Sequence, residues 1–367
     1  MSGVSHTQEE PWLRQDKELA SASRYAQDRV SYEGQFAGKK VLITGGLGFI
    51  GSNLAMRLVE LGADVLLVDS LIPDYGGNLF NVEPIKDRVR VNIADVRDAN
   101  GMNYLVRGQD YLFNLAGQIG HIDSMCDPYT DLDINCRAQL SILEACRHNN
   151  PSIKVVFAGT RQVYGAPQYL PVDEKHILRP VDVNGINKMA GEWYHILYNN
   201  VYGIRALSLR LTNTYGPRLL MKHGRQGFVA WFIRQAMDNQ EIQIFGDGHQ
   251  LRDMNYVDDV VEAMLLAAVY EGANGRIMNL GNDPPVSHLE FVQTLLEVCQ
   301  EHGMGHGGYR LTPFPPDKKR IDIGDYYADY GKIRRILGWS PRIGLREGLQ
   351  RTVAYYAQHR DQYWERA

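Results

Sequence analysis

Short runs rich in Val, Ile, Leu and Phe recur along this chain at 41–44, 64–68, 88–93, 111–115, 154–159 and 204–210. Their length, and the general lack of clean polar alternation, suit strands buried on both faces. Between them apolar residues fall three and four apart. Ile50, Leu54, Leu58 and Leu61 share one face of a helix over 50–61, and further helices are predicted near 99–107, 131–148 and 185–202. Strands alternating with helices build a parallel sheet covered on both sides, so the expected class is α/β with a doubly wound sheet. After Gly216-Pro217 the rhythm breaks. Helices are predicted around 227–238, 256–270, 287–302 and 344–358, with strands at 241–245 and 277–281. The division that follows is an N-terminal extension over 1–37, a sheet domain over 38–215, and a smaller lobe over 216–367 whose segments near 256–281 return to the sheet. Trp12, Leu13, Leu19, Tyr25 and Val30 are spaced too loosely to set a helix in the extension, which is expected to be partly helical and packed on the body or a partner chain.

The first strand ends in Thr44-Gly45-Gly46-Leu47-Gly48-Phe49-Ile50-Gly51. A strand turning tightly into a helix leaves backbone N–H groups unpaired at the helix start, and with the helix dipole these attract a pyrophosphate. Gly45, Gly48 and Gly51 permit the turn, the approach of the phosphate and close helix–strand packing. Phe49 and Ile50 open the helix. The second strand ends at Asp69-Ser70, about 20 residues on, where an acidic side chain meets a ribose diol. A carboxylate there repels a 2′-phosphate. The pattern predicts a Rossmann-type domain that binds NAD rather than NADP.

Composition narrows the partners. The 367 residues are 44% hydrophobic, enough for a sizeable core, and the formal net charge of −4 gives no reason to expect nucleic acid. No apolar stretch approaches the ~20 residues needed to span a membrane, and no signal-peptide core stands at the N-terminus. Cys126, Cys136, Cys146 and Cys299 form no close pair or metal-binding pattern. A cytoplasmic protein without a metal is expected. His302 and His306 lie in a Gly-rich turn and read as surface residues.

Further candidate positions follow the later strands. Asp95-Val96 lies beyond the third, where the carboxylate either reaches an adenine or caps the helix near Asp98. Leu115-Ala116-Gly117-Gln118 follows the fourth, its small residues allowing close approach of a cofactor. Thr160 follows the fifth, at the carboxyl end of the sheet where such folds bind ligands. Asn184 and Lys188 share a helix face. Lys188 alone reads more often as a solvated helix lysine; the nearby Gly185 and a position just after the fifth strand raise its standing as a site residue.

Taken together, residues 40–355 resemble the extended short-chain dehydrogenase/reductase family of nucleotide-sugar epimerases and dehydratases. The resemblance is carried by the glycine loop, by Asp69, by Asp95-Val96 and by Gly159-Thr160-Arg161-Gln162-Val163-Tyr164-Gly165. It continues in Arg210-Leu211-Thr212-Asn213-Thr214-Tyr215-Gly216-Pro217, Phe245-Gly246-Asp247-Gly248-His249-Gln250-Leu251-Arg252-Asp253, Ala328-Asp329-Tyr330-Gly331-Lys332 and Leu337-Gly338-Trp339-Ser340-Pro341. It implies a C-terminal lobe that binds substrate, a nucleotide-diphosphate sugar. Asn213 and Arg252 would hold the diphosphate, joined by one of Lys319-Arg320, with Arg320 carried forward. Ser124 would touch the sugar. For Arg252 and Arg320 a surface ion pair is the plain alternative. The resemblance also implies a homodimer formed by the helices near 131–148 and 185–202.

Two departures matter. The family's Tyr-x-x-x-Lys pair appears as Asn184-Gly185-Ile186-Asn187-Lys188. An amide lacks the basicity to take a sugar hydroxyl proton. His121 is the best substitute base, because imidazole titrates near neutral pH; a histidine bonded to backbone is the alternative. Tyr164 is weaker, since the family tyrosine there is structural. Secondly, the dehydratases' Asp-Glu after the active-site threonine is Arg161-Gln162 here, which disfavours dehydration. The expected activity is NAD-dependent epimerisation of a nucleotide sugar through a transient keto intermediate. Thr160 would bond the reacting oxygen. A keto-sugar reductase or dehydrogenase and a non-catalytic binder of NAD and sugar nucleotide are the competing readings.

Overall fold

The computed structural model describes residues 30–364 except Asp74 and His306. Seven parallel strands form the main sheet: β1 (Lys40–Thr44), β2 (Asp64–Asp69), β3 (Val89–Ile93), β4 (Tyr111–Asn114), β5 (Lys154–Thr160), β6 (Arg205–Leu211) and β7 (Ile277–Asn279). Their order is β7-β6-β5-β4-β1-β2-β3. The chain moves outward one way from β1 to β3, then restarts on the other side at β4. This reversal opens a crevice beyond the carboxyl ends of β1 and β4, the place where doubly wound sheets bind ligands.

Alternate residues of the strands feed two cores. Val41 and Ile43 face one side with Val65 and Leu67, against Leu54 and Leu58 of α1 (Phe49–Glu60). Leu42 faces the other with Leu66 and Leu112, in the cluster that holds Met102 of α2 (Ala99–Leu105). Next along the chain come α3 (His121–Cys126) and α4 (Ala138–Asn149), the latter adding Ile142 and Leu143 to this second core. The single helix expected over 131–148 is three segments, Pro128–Leu132, a π turn over Asp133–Arg137, and α4. Single π turns gather at functional sites, and this one borders the cleft described below. The expected 185–202 helix is α5 (Val183–Tyr202), which Asp182 starts by accepting a hydrogen bond from Gly185 N at 2.7 Å.

The C-terminal third holds α6 (Phe228–Met237), α7 (Val257–Val269), α8 (His288–Glu301) and α9 (Leu345–Tyr363). β7 pairs with β6 and so rejoins the sheet. Ile242–Phe245 pairs in parallel with Tyr309–Thr312, a strand with no sequence signal because most of its side chains are exposed. Two further short pairings, of Asn213–Tyr215 with Met254–Tyr256 and of Leu251–Arg252 with Val286–Ser287, join distant loops below the cleft. α9 runs beyond the expected 358, where polar composition hides its end. Buried Tyr363 donates to Asn81 Oδ1 at 2.6 Å and draws the last turn onto the body. Of the N-terminal extension, 1–29 lie outside the described residues, as does His306; His302 is exposed. The extension's last residues pack on the body through Tyr32 and Phe36, both buried, with Tyr32 donating to Glu262.

One polar network crosses this scaffold. Glu192 of α5 and Arg210 of β6 are both buried, with Nη2 2.5 Å from Oε1. Ser208 Oγ donates to Glu192 at 2.8 Å, Arg210 Nη1 donates to Tyr164 OH at 2.7 Å, and Tyr164 OH donates to Asn279 Oδ1 at 2.7 Å. Removing one partner of a buried pair strands the other charge. Glu192→Leu is therefore expected to lower stability by about 3–5 kcal/mol in urea unfolding. A change under about 1 kcal/mol would show that the network does not hold α5 on the sheet.

Candidate active site

A cleft of about 450 Å³ follows the crevice, within the ~300–1,000 Å³ of typical ligand and cofactor sites. At one end lies the glycine loop. Gly45 has φ +67°, and a Cβ there would stand 3.0 Å from Ala116 N. A Cβ on Gly51 would fall 2.2 Å from Gly45 O, so α1 can begin this close to the loop only with glycine. Gly48 precedes α1 without a side-chain cap, which leaves the first-turn N–H groups available to an anion. Asp69 ties the loop in place. Its Oδ2 accepts from Leu47 N at 3.1 Å and its Oδ1 from Leu71 N at 3.0 Å, while burial pushes its pKa up. Gly48, Phe49, Ile50, Ser70, Val96, Leu115 and Ala116 line the same end. Asp95 lines it too and is not the cap of α2. Asp98 caps that helix, and Asp95 instead holds Arg97, which keeps its carboxyl below the usual range. A bare helix start, a loop with no room for side chains and a carboxylate beyond β2 fit a dinucleotide.

The other end is built on β5 and α5. Thr160 closes β5, its Oγ1 accepting from Gln162 N at 3.3 Å. Lys188 reaches under the cleft floor and donates to Ala158 O at 3.3 Å. A Cβ on Gly117 would meet Lys188 Nζ at 2.7 Å, so glycine after β4 is what admits the lysine. Burial drives Lys188 down to about 8, against the opposing field of Asp131.

Asn184 also lines the cleft, and its amide is committed to structure. Nδ2 donates to Gln118 O at 2.7 Å and to Asp131 Oδ2 at 2.8 Å. Asn187 and Asn135 donate to the same Asp131 carboxylate at 2.8 and 3.0 Å. A phenol at 184 could supply one donor but not this fit. The asparagine is one of three amides that satisfy a buried carboxylate.

His121 stands beside this cluster. Its Nδ1 bonds Asp182, and its Nε2 lies 2.7 Å from Gln162 Nε2. The carboxylate assigns the proton to Nδ1 and leaves Nε2 as a lone-pair acceptor held by the Gln162 amide. The histidine is thus bonded to side chains, not to backbone as in the alternative reading. Tyr164 is buried away from the cleft in the Arg210 network, and burial pushes its phenol up to about 12; it offers no base. Farther along, Arg161, Asn213 and Arg252 line the cleft together. Arg252 is no surface residue: it is buried and donates to Leu251 O and Gly324 O at 2.7 and 2.6 Å.

Three expected site residues stand outside the lining. Gln118 is buried, and its Nε2 donates to Gly120 O at 3.2 Å. Ser124 is a strut, donating to His121 O at 2.7 Å and accepting from Asn184 N at 3.2 Å. Arg320 is exposed just after the short helix Pro316–Lys319. Conversely, Asp131 and Asp182 were not singled out from sequence. Asp182 carried a legible signal, an N-cap residue opening a helix; Asp131 looked like any polar residue in a helical stretch.

With this geometry, known proteins can be compared. A model of the NAD dependent epimerase/dehydratase family matches residues 41–281. The chain belongs to that family. A proposed UDP-glucose 4-epimerase of Methanocaldococcus jannaschii is 36% identical over 316 residues, covering 85% of this chain and 97% of that protein. A UDP-glucose 4-epimerase of Mycolicibacterium smegmatis is 31% identical, covering 86% and 98%. The crystal structure of UDP-glucose 4-epimerase from Thermotoga maritima with UDP-glucose superposes with a TM-score of 0.77 at 30% identity, over 88% of this chain and 100% of that one. The cofactor is NAD, and the activity falls among the NAD-dependent nucleotide-sugar epimerases.

The buried lysine gives a direct check. In protein freed of cofactor, Lys188 is expected to be charged at low pH and to lose its proton as pH rises through about 8. NMR of its ε-methylene group, assigned with Lys188→Met, reads the midpoint. A midpoint near the ordinary lysine value would mean that the field of Asp131 offsets burial in full.

Proposed function

We propose that the protein inverts one ring carbon of a nucleotide-diphosphate sugar, with His121 as the proton carrier in place of the missing tyrosine. The observation that carries this is the Asp182–His121 pair on the cleft wall with Thr160 and Lys188. The sugar hydroxyl takes the place of the Gln162 amide at His121 Nε2 and gives up its proton there. Asp182 holds the imidazolium that forms. Thr160 Oγ1 hydrogen-bonds the reacting oxygen, which is a carbonyl in the transient keto state. NAD, when bound, supplies the acceptor and then the donor of the hydride. Lys188 orients the nicotinamide ribose and lends positive charge. His121 then returns the proton, so no acid or base is consumed. Arg252 and Asn213 hold the diphosphate. Arg161 and Gln162 offer no carboxylate to expel a hydroxyl, which disfavours dehydration.

The test is a panel of UDP-, dTDP-, GDP- and CDP-sugars, with product isomers followed by NMR. Epimers are expected without net NADH, and His121→Ala is expected to slow turnover by about 10²- to 10⁴-fold. Full activity in that variant removes His121 from the mechanism. Net NADH consumption would mark a keto-sugar reductase instead, and binding without turnover a non-catalytic protein.

A homodimer through α5 accompanies this reading. Ile186, Trp193, Leu197 and Val201 lie on that helix and are each half exposed or more. A row of large apolar side chains at such spacing suits a partner helix. Trp193→Asp is expected to shift sedimentation from dimer to monomer; an unchanged dimer would place the interface elsewhere. No helix among the described residues is long and apolar enough to cross a membrane. All four cysteines are unpaired thiols, which suits a reducing compartment, and we assign the protein to the cytoplasm.

A further inference from the structure

We propose that Arg161 receives a carboxylate borne by the sugar ring, so that the substrate is a nucleotide-linked uronic acid. The inference rests on the nucleotide-sugar reading above and narrows it. Arg161 directly follows Thr160 and lines the cleft, which puts it at the sugar end. Among the described residues its guanidinium makes no hydrogen bond and no ion pair; its contact is with an aromatic ring. Its close partner is the ring of buried Tyr326, 5.1 Å from the guanidinium carbon. The contrast with Arg210 is direct, because that buried arginine is fully engaged by Glu192 and Tyr164. Arg161 is partly exposed along the cleft, so its guanidinium faces the space a ligand fills, and a cation there without a counterion is completed by an anionic ligand.

Among the described residues no carboxylate pairs with Arg161, and Asp253 and Asp182 act on it only through space. Arg252, the neighbouring cation, bonds only neutral carbonyls. The nearby carboxylates are engaged or weakened. Asp182 holds His121 and Gly185 N, and Asp322 holds Lys319 and Gln250. Asp253 accepts from Ala328 N, leaves Oδ1 without a partner, and is raised by burial to about 7. The local field is correspondingly positive. His288 is pushed down to about 3 by burial first and then by the charge of Arg252, with Asp322 opposing and Arg161 adding to the fall. A diphosphate on Arg252 leaves the Arg161 fork for a second anion beside Thr160. A planar carboxylate matches that fork.

The test compares hexose 1-phosphates with the uronate 1-phosphates that differ from them only in the carboxylate, and so does not depend on the nucleobase. Glucose, galactose, glucuronate and galacturonate 1-phosphates are titrated by NMR into wild type, Arg161→Met and Arg161→Lys. Retained NAD content and thermal midpoint report folding. At least one uronate is expected to bind wild type about 10- to 100-fold tighter than its hexose, the range for a hydrogen-bonded charge. Arg161→Met should erase that preference while hexose phosphates bind as before, and Arg161→Lys should restore part of it. No preference in wild type, or no binding of either uronate, overturns the proposal. So does an equal loss for uronate and hexose, which would make Arg161 a phosphate clamp. A parallel titration with UDP, dTDP, GDP and CDP separates the two readings, because failure of all four removes the nucleotide while leaving the uronate result standing.

Discussion

The buried pair of Glu192 and Arg210 joins the three elements on which the cleft depends. Glu192 sits one turn after Lys188 on α5, Arg210 lies on the strand beside β5, and Tyr164 ends the turn that begins at Thr160. With both charges out of water, the geometry has little latitude. A rotation of α5 that carried Lys188 away from Ala158 would also pull Glu192 off the guanidinium. The ion pair converts a helix on a sheet, which packing alone would let slide, into a fixed relation between a lysine and a threonine hydroxyl.

On that frame the cleft is electrostatically divided. At the glycine-loop end the carboxylates are committed, Asp69 to backbone N–H groups and Asp95 to Arg97. At the sugar end cations predominate in the lining, and the acids are drawn behind it. Asp131 lies under Asn184 and Asn187, and Asp182 behind His121. Asparagine at 184 is consistent with this arrangement. Its amide donates a hydrogen bond to a buried acid, and a histidine with its own carboxylate stands on the cleft wall.

Much of this was legible along the chain. β1, β2, β5 and β6 are short apolar runs with few alternatives, and the glycines of the loop announce a turn that other residues cannot make. Asp69 was read from spacing, and Lys188 from the resemblance to the family's lysine position. The strand Tyr309–Thr312 was not, because exposed side chains leave no periodicity. The π turn at Asp133–Arg137 was not, because the residues on either side of it still read as one helical stretch. Nor was Asp131 as the anchor of three amides, since each partner comes from a different point in the chain. Asp95 had two open readings, and the structure gave the cap to its neighbour Asp98.

By itself the amino-acid sequence determined the doubly wound sheet, the dinucleotide loop and the family, because these follow from local rules: strand and helix periods, backbone room at glycine, and acids at set distances. Only the tertiary structure decided which polar side chains are spent on one another. Asn184 and Gln118 turn inward to Asp131 and to backbone, Tyr164 is taken by Arg210, and Arg161 stacks on Tyr326 without a hydrogen bond or ion pair among the described residues. Those outcomes depend on desolvation and on contacts between residues dozens of positions apart, which no local pattern encodes.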